Sequence, residues 1–273
     1  MTRPALDPEW LRALRAAASQ PPLRPRVPLW AGASIIGSVE IDFFQQSALQ
    51  PLFEGHCELL KKEHPTNLGW RLLGDVTISL NQLAAVLREA GLAGAWRHEQ
   101  LAVLDQFGHR QGTVERAAVR PLGIRTLAVH LVGQTHAGSY WVQQRAFDKA
   151  NDPGLWDTLM GGMVSANDSV DTALARETWE EAGLKMDDLQ AVRHGGELNM
   201  CRPSSDGNGA GYLTEQIEWY VCQVPDGVRP QNQDGEVEQF CLLEAAQLRD
   251  ALQRNEFTIE AAMIFAELLS RPI

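Results

Sequence analysis

Three glutamates, Glu177, Glu180 and Glu181, fall at i, i+3 and i+4 in this chain, between the glycine pair Gly161-Gly162 and Gly183. On a helix that spacing puts all three on one face, where like charges repel. Glutamate pairs are common on solvated helices, and alone this one would mark only a wet surface. The framing glycines constrain it further. They predict a glycine turn at 161–162, a helix over residues 169–182, and Gly183 as the residue that ends it. A divalent cation would relieve such a face: carboxylate oxygens suit Mg²⁺ or Mn²⁺, and those ions in turn bind phosphate oxygens. Ala173, one turn before Glu177, would leave room for ion and phosphate, and Trp179, Ala175 and Ala182 would anchor the helix to the core.

A chain of 273 residues, 44% of them hydrophobic, supports one large or two small folded units. Its net charge of −11 argues against sequence-blind nucleic-acid binding, which needs Lys and Arg against phosphates. A small phosphorylated ligand stays open, because a metal can supply local positive charge. Cys57, Cys201, Cys222 and Cys241 are too far apart for a zinc knuckle or a CxxC redox site, and read as thiols of a reducing compartment. The charged stretch 1–20 is unlike a signal peptide, and no run is long enough for a membrane helix. The expectation is a cytoplasmic protein with no membrane or nucleic-acid partner.

Asp7-Pro8 predicts a helix start, with Trp10, Leu11 and Leu14 as its apolar stripe. Four prolines in 20–28 read as a linker, and 35–44 as strand. Ser79 to Gln82 gives a capping box for a helix that Gly91 ends. Residues 125–132 and 139–144 predict a hairpin. Further strands are expected at 213–224 and 236–243. Closing helices are expected at 244–253 and 259–269, the second capped by Thr258. A boundary near 115–122 divides the chain into a smaller α/β domain, residues 1–118, and a larger one, residues 119–273.

The order Gly162-x5-Asp168-x7-Arg176-Glu177-Thr178-x-Glu180-Glu181-x-Gly183-Leu184 resembles the signature of Nudix hydrolases. There the first acidic position is Glu and the residue after the first motif Glu is a bulky aliphatic; here these are Asp168 and Thr178. The resemblance implies a Nudix α/β/α sandwich with a mixed sheet and hydrolysis of a diphosphate bond. It implies Glu177, Glu180 and Glu181 as metal ligands, with Glu177 and Glu181 foremost and also catalytic. Gly161, Gly162, Asp168, Arg176 and Gly183 support that geometry, Asp168 by pairing with Arg176. Residues 141–145 (WVQQR), 153–157 (PGLWD), 232–238 and 256–260 are similar to the Nudix branch associated with thiamine pyrophosphokinase. Members of that branch carry an N-terminal domain of obscure function, which would cover the pocket or form a homodimer contact. The branch implies thiamine diphosphate or its oxidised analogues as substrate.

Outside the motif, Glu238 shares a strand face with Glu236 and is the expected general base; a solvated strand edge is the competing reading. Arg145 and Lys149 are expected at the phosphates. Trp156 is expected to stack on a heterocycle, although Trp more often packs a core. His130 in an apolar run reads as a satisfied core histidine. The loop 204–211 lacks the strand-and-helix flanks of a phosphate loop and reads as a lid or a plain connection. Three other readings remain: a Nudix hydrolase of a nucleoside diphosphate derivative such as ADP-ribose, an isopentenyl diphosphate isomerase, and a non-catalytic sensor. The isomerase needs a cysteine in a strand context absent here. The sensor reading is weakened by the intact glutamates.

Overall fold

The computed structural model describes residues 6–45, 59–62 and 68–271; Cys57 lies outside them. Helix α1 (Pro8–Ala18) begins as its sequence predicts, with the Asp7 carboxylate accepting from the Glu9 amide and Pro8 in the first turn. Strands β1 (Arg26–Ala31), β2 (Ser34–Glu40), β3 (Leu59–Lys62) and β4 (Gly69–Leu72) form a sheet in the order β2-β1-β4-β3. Strand β1 runs through Pro28, so the expected linker ends earlier, before Arg26. Helix α2 (Val76–Glu89) starts a turn ahead of the predicted capping box: Asp75 accepts from the Ile78 amide. Ser79 lies inside the helix, its hydroxyl donating to the Leu73 carbonyl. Strands β5 (Gln100–Leu104) and β6 (Arg110–Glu115) form a hairpin. Strands β1, β2 and β4, helix α2 and the β5–β6 hairpin share one apolar core, built on Leu29, Phe43, Leu80, Leu87, Val103 and Val114.

The second half is built on a mixed sheet. Strands β7 (Thr126–Gln134) and β8 (Tyr140–Arg145) are the predicted hairpin. Then come β9 (Trp156–Asp157), β10 (Met160–Met163), β11 (Gln190–Ser204), β12 (Gly211–Gln223) and β13 (Val237–Leu243). The main order is β11-β12-β7-β8-β13, with β10 on β7 and β9 on β8; β12 and β7 run parallel. Alternation along β7 separates its faces. Val129 and Leu131 join the core beneath helix α3 (Val170–Ala182). Ala128 and Val132 join another core, beneath helices α4 (Ala245–Gln253) and α5 (Ile259–Ser270). This is the expected α/β/α sandwich, preceded by a smaller α/β region.

The two halves interlock. Helix α1, first in the chain, packs with Leu14 and Ala18 in the core under α5. The first core runs on past residue 118 to Leu122 and Ile124, and takes in Ala210 from the tip between β11 and β12. That tip, for which the sequence left a lid and a segment without function both open, is tied down: Arg26 donates to the Ala210 carbonyl at 2.5 Å, and the Tyr212 amide donates to the Arg120 carbonyl at 2.9 Å. Among the described residues no helix is long and apolar enough to cross a membrane.

Candidate active site

Helix α3 is fixed at both ends by its sequence. Ser169 accepts from the Thr172 amide in a capping box, and Gly183 closes the helix at φ +64°, where a side chain would be strained. Its inward face is Ala173, Leu174, Thr178, Glu181 and Ala182. Ala173 therefore fills the core rather than leaving space for a ligand. The expected anchor Trp179 is 46% exposed, with Lys185 over its ring. Thr178, where the signature carries an aliphatic residue, is fully buried and satisfies its hydroxyl by donating to the Leu174 carbonyl at 2.6 Å.

The residues expected as a glycine turn are strand. Gly161 pairs with His130 and Gly162 with Val129 across β10 and β7. What the site needs from them is space. A Cβ on Gly162 would overlap the Glu177 carboxyl group, and one on Gly161 would overlap the His130 ring. Glu181 is buried, accepting from the Gly161 amide at 2.9 Å and from Gln143 Nε2 at 2.7 Å. Burial pushes its pKa up to about 8, with Glu177 nearby adding to the effect. Burial likewise lifts Glu177 to about 7, against the pull of Arg176. Arg176 binds Asp168 through Nε (3.0 Å) and Nη2 (2.9 Å), and Glu177 and Glu180 through Nη1 at 2.8 and 3.0 Å. Aspartate thus reaches Arg176 at the position where the signature carries glutamate.

The three glutamates offer the hard oxygen donors that Mg²⁺ or Mn²⁺ takes. Their side chains are engaged separately, two on Arg176 and one on Gln143. Among the described residues no three Asp, Glu, His or Cys side chains converge on one point. The donor set fits a divalent ion by its chemistry, and by the half-buried Glu177 beside the buried Glu181, whose repulsion a cation would relieve.

A cleft of about 210 Å³ meets this helix across Gly161 and Gly162. Arg145 lines it, 3.7 Å from Asp157. His130 is buried and satisfied by Thr158 Oγ1 at 2.9 Å, and also faces the cleft. The other outlying expectations fall elsewhere. Glu238 is exposed beside a bulge in the β13–β8 pairing and is not part of the cleft wall, so the solvated-edge reading describes it. Lys149 pairs with Glu236 outside the cleft. Trp156 packs against the core under α5, held there because its backbone bridges to Glu256 and Thr258. Gln143, Glu99, Arg116 and Arg120, all near the site, carry no expectation from the sequence. Gln143 lies in a strand run that ends Gln-Gln-Arg, where nothing local distinguishes it from Gln144.

A NUDIX domain family model matches residues 123–264, just over half of the chain. The chain is 26% identical over 187 residues to Nudix hydrolase 20, chloroplastic, of Arabidopsis thaliana, covering 67% of this chain and 49% of that protein. It is 28% identical over 142 residues to the isopentenyl-diphosphate Delta-isomerase of Rhodobacter capsulatus, covering 52% of this chain and 77% of that one. Among solved structures, DR0079 from Deinococcus radiodurans aligns with a TM-score of 0.47 at 18% identity, covering 61% of this chain and 98% of that one. The chain thus spans about half the length of the Arabidopsis relative.

Proposed function

The chain belongs to the Nudix family, and on that premise we propose that it is a metal-dependent hydrolase of a small organic diphosphate. The observation that supports this most is the pair Glu177 and Glu181, half-buried and buried against Gly162 and Gly161. Burial of two acids side by side costs stability, and cation binding gives a reason to keep it. Glu177, Glu180 and Glu181 would hold Mg²⁺ or Mn²⁺. Bound there, the ion would neutralise phosphate charge and acidify a water. Gln143 and the Gly161 amide orient Glu181, Arg176 and Asp168 orient Glu177, and Arg145 binds the substrate from the cleft wall. Glu238 has no part in this assignment.

The resemblance of residues 141–157 and 232–238 to the thiamine-associated branch makes thiamine diphosphate and its oxidised analogues the first substrates to test, with the monophosphate and phosphate as products. The described cysteines, Cys201, Cys222 and Cys241, are free thiols, which supports a reducing cytoplasmic setting. The isomerase relative supports a second reading, rearrangement of isopentenyl diphosphate with no phosphate released. One experiment separates them: phosphate and pyrophosphate release by the purified protein, with and without Mg²⁺. The panel holds the thiamine compounds, ADP-ribose, a dinucleoside polyphosphate and isopentenyl diphosphate, the last also followed for double-bond migration. Metal-dependent multiple turnover of one diphosphate is expected. Tight binding of a ligand with no turnover of any would replace the hydrolase with a sensor.

A further inference from the structure

We propose that Arg116 and Arg120, from the segment that joins the two halves of the chain, form a phosphate-binding pair that completes the substrate site. The proposal rests on the hydrolase reading and names which diphosphate oxygens the acidic helix leaves to other residues: those turned toward the first half of the chain. Arg116 opens a short 3-10 turn, and Arg120 follows four residues later. The apolar side chains between and after them, Ala118, Val119 and Leu122, are locked into the first core. The two arginines line the cleft that meets Gly161 and Gly162. An adjoining hollow shares both and adds Arg97.

The position of Arg116 is fixed relative to the acidic helix. Its Nη1 donates to Glu99 at 2.8 Å, and Glu99 accepts from Ser165 Oγ, also at 2.8 Å, on the loop leading into α3. The Ala166 amide donates to the Gln100 carbonyl at 2.7 Å, binding the same loop to β5. The first half of the chain thus holds both the arginine and the loop in one frame.

A guanidinium carries five N–H donors. Arg116 spends one of its five on Glu99. Arg120 lies 3.6 Å from Asp206, beyond hydrogen-bonding distance, and its side chain makes no hydrogen bond among the described residues. The other two arginines of the cleft are more committed: Arg145 donates to the Asn151 carbonyl through Nε and Nη2, and Arg202 donates to Glu260. In a chain of net charge −11, two arginines one turn apart with unspent forks suit an anion with several oxygens in a plane or tetrahedron. A diphosphate lying across Gly161 and Gly162 is such an anion.

The test uses the full chain in Mg²⁺. Inorganic pyrophosphate is titrated calorimetrically, and kcat and KM are measured with the best diphosphate of the panel, for wild type, R116A, R116K, R120A and E181Q. R120A breaks no hydrogen bond, so it is expected to fold, and melting temperatures check each variant. Each alanine variant should raise KM and the pyrophosphate Kd by about ten-fold or more, the worth of a charged hydrogen bond. Loss in kcat should stay below about three-fold, and R116K should recover part of the affinity. E181Q should lose turnover. Values within roughly two-fold of wild type in both alanine variants, or no pyrophosphate binding by wild type at millimolar concentration, would overturn the proposal. Absence of turnover by wild type would sink the hydrolase reading instead, while the titration would still decide the arginine pair.

Discussion

Glu181→Gln probes the acidic site through stability as well as rate. Glutamine matches the volume of the buried glutamate, and its carbonyl can keep the Gly161 amide. The same oxygen, Oε2, accepts from Gln143 Nε2, so that carbonyl can keep both donors without turning Gln143 over. What the substitution removes is an acid that burial pushes from 4.5 to about 8. Below 4.5 the folded and unfolded chains both hold the proton, and above 8 both have lost it. Between those values only the unfolded chain ionises, so each pH unit withdraws about 1.4 kcal/mol from the stability of wild type. Across the window the loss is on the order of 5 kcal/mol, and the glutamine variant escapes it. Melting curves of the two proteins in EDTA, from about pH 5 to about pH 8.5, should coincide at the acid end. The variant should then melt progressively higher as pH rises, by several degrees at the alkaline end. In Mg²⁺ the same variant should have lost turnover. Parallel melting profiles would refute the buried-acid argument, and a near-normal rate would remove Glu181 from the chemistry.

Gly162→Ala puts a methyl group where the Glu177 carboxyl sits, so the rate should fall by about ten-fold or more while overpacking costs about 1–3 kcal/mol; kinetics and a melting curve on the same sample check both. Asp168→Ala removes two contacts to the partly exposed Arg176, which keeps Glu177 and Glu180, so stability should fall by about 1 kcal/mol with a smaller effect on rate. A sharp rate loss at an unchanged melting temperature would contradict that role. Thr178→Val keeps shape and deletes a hydroxyl whose acceptor is a helix carbonyl, so chemical denaturation should find it within about 1 kcal/mol of wild type or more stable.

What the sequence displayed were features whose cause is local. Asp7, Ser169 and Thr258 accept from the first turns of their helices because a short polar side chain at that place reaches a free amide. The hairpin of β7 and β8 follows from two β-rich runs around a turn, and the glutamate register follows from helical periodicity. Strand β11 was not anticipated: Gly195, Gly196 and Pro203 interrupt its pattern, and its long pairing with β12 absorbs the irregularities as register shifts. Ser79 and Gln82 spell a capping box one turn after Asp75, yet it is Asp75 that accepts from the Ile78 amide and starts the helix.

The site divides along the same line. Its acidic helix is one contiguous segment, so its chemistry is written in spacing. Its surroundings come from strands far apart in the chain: Glu99 meets Ser165 across 66 residues, and Gln143 meets Glu181 across 38. No periodicity links such positions, and an arginine at 116 is locally one more surface cation. The same distance sets the outlying candidates apart from the cleft wall. Lys149 and Trp156 lie near the acidic motif in sequence, whereas Glu236 engages Lys149, the bridges from β9 to Glu256 and Thr258 hold Trp156 against the core under α5, and β13 turns Glu238 to solvent. If Arg116 and Arg120 bind the substrate, the first half of the chain is a wall of the active site. Substitutions in the frame that holds it, Glu99→Gln above all, should then raise KM without touching any proposed metal ligand, an effect that an appended domain of separate function would not produce.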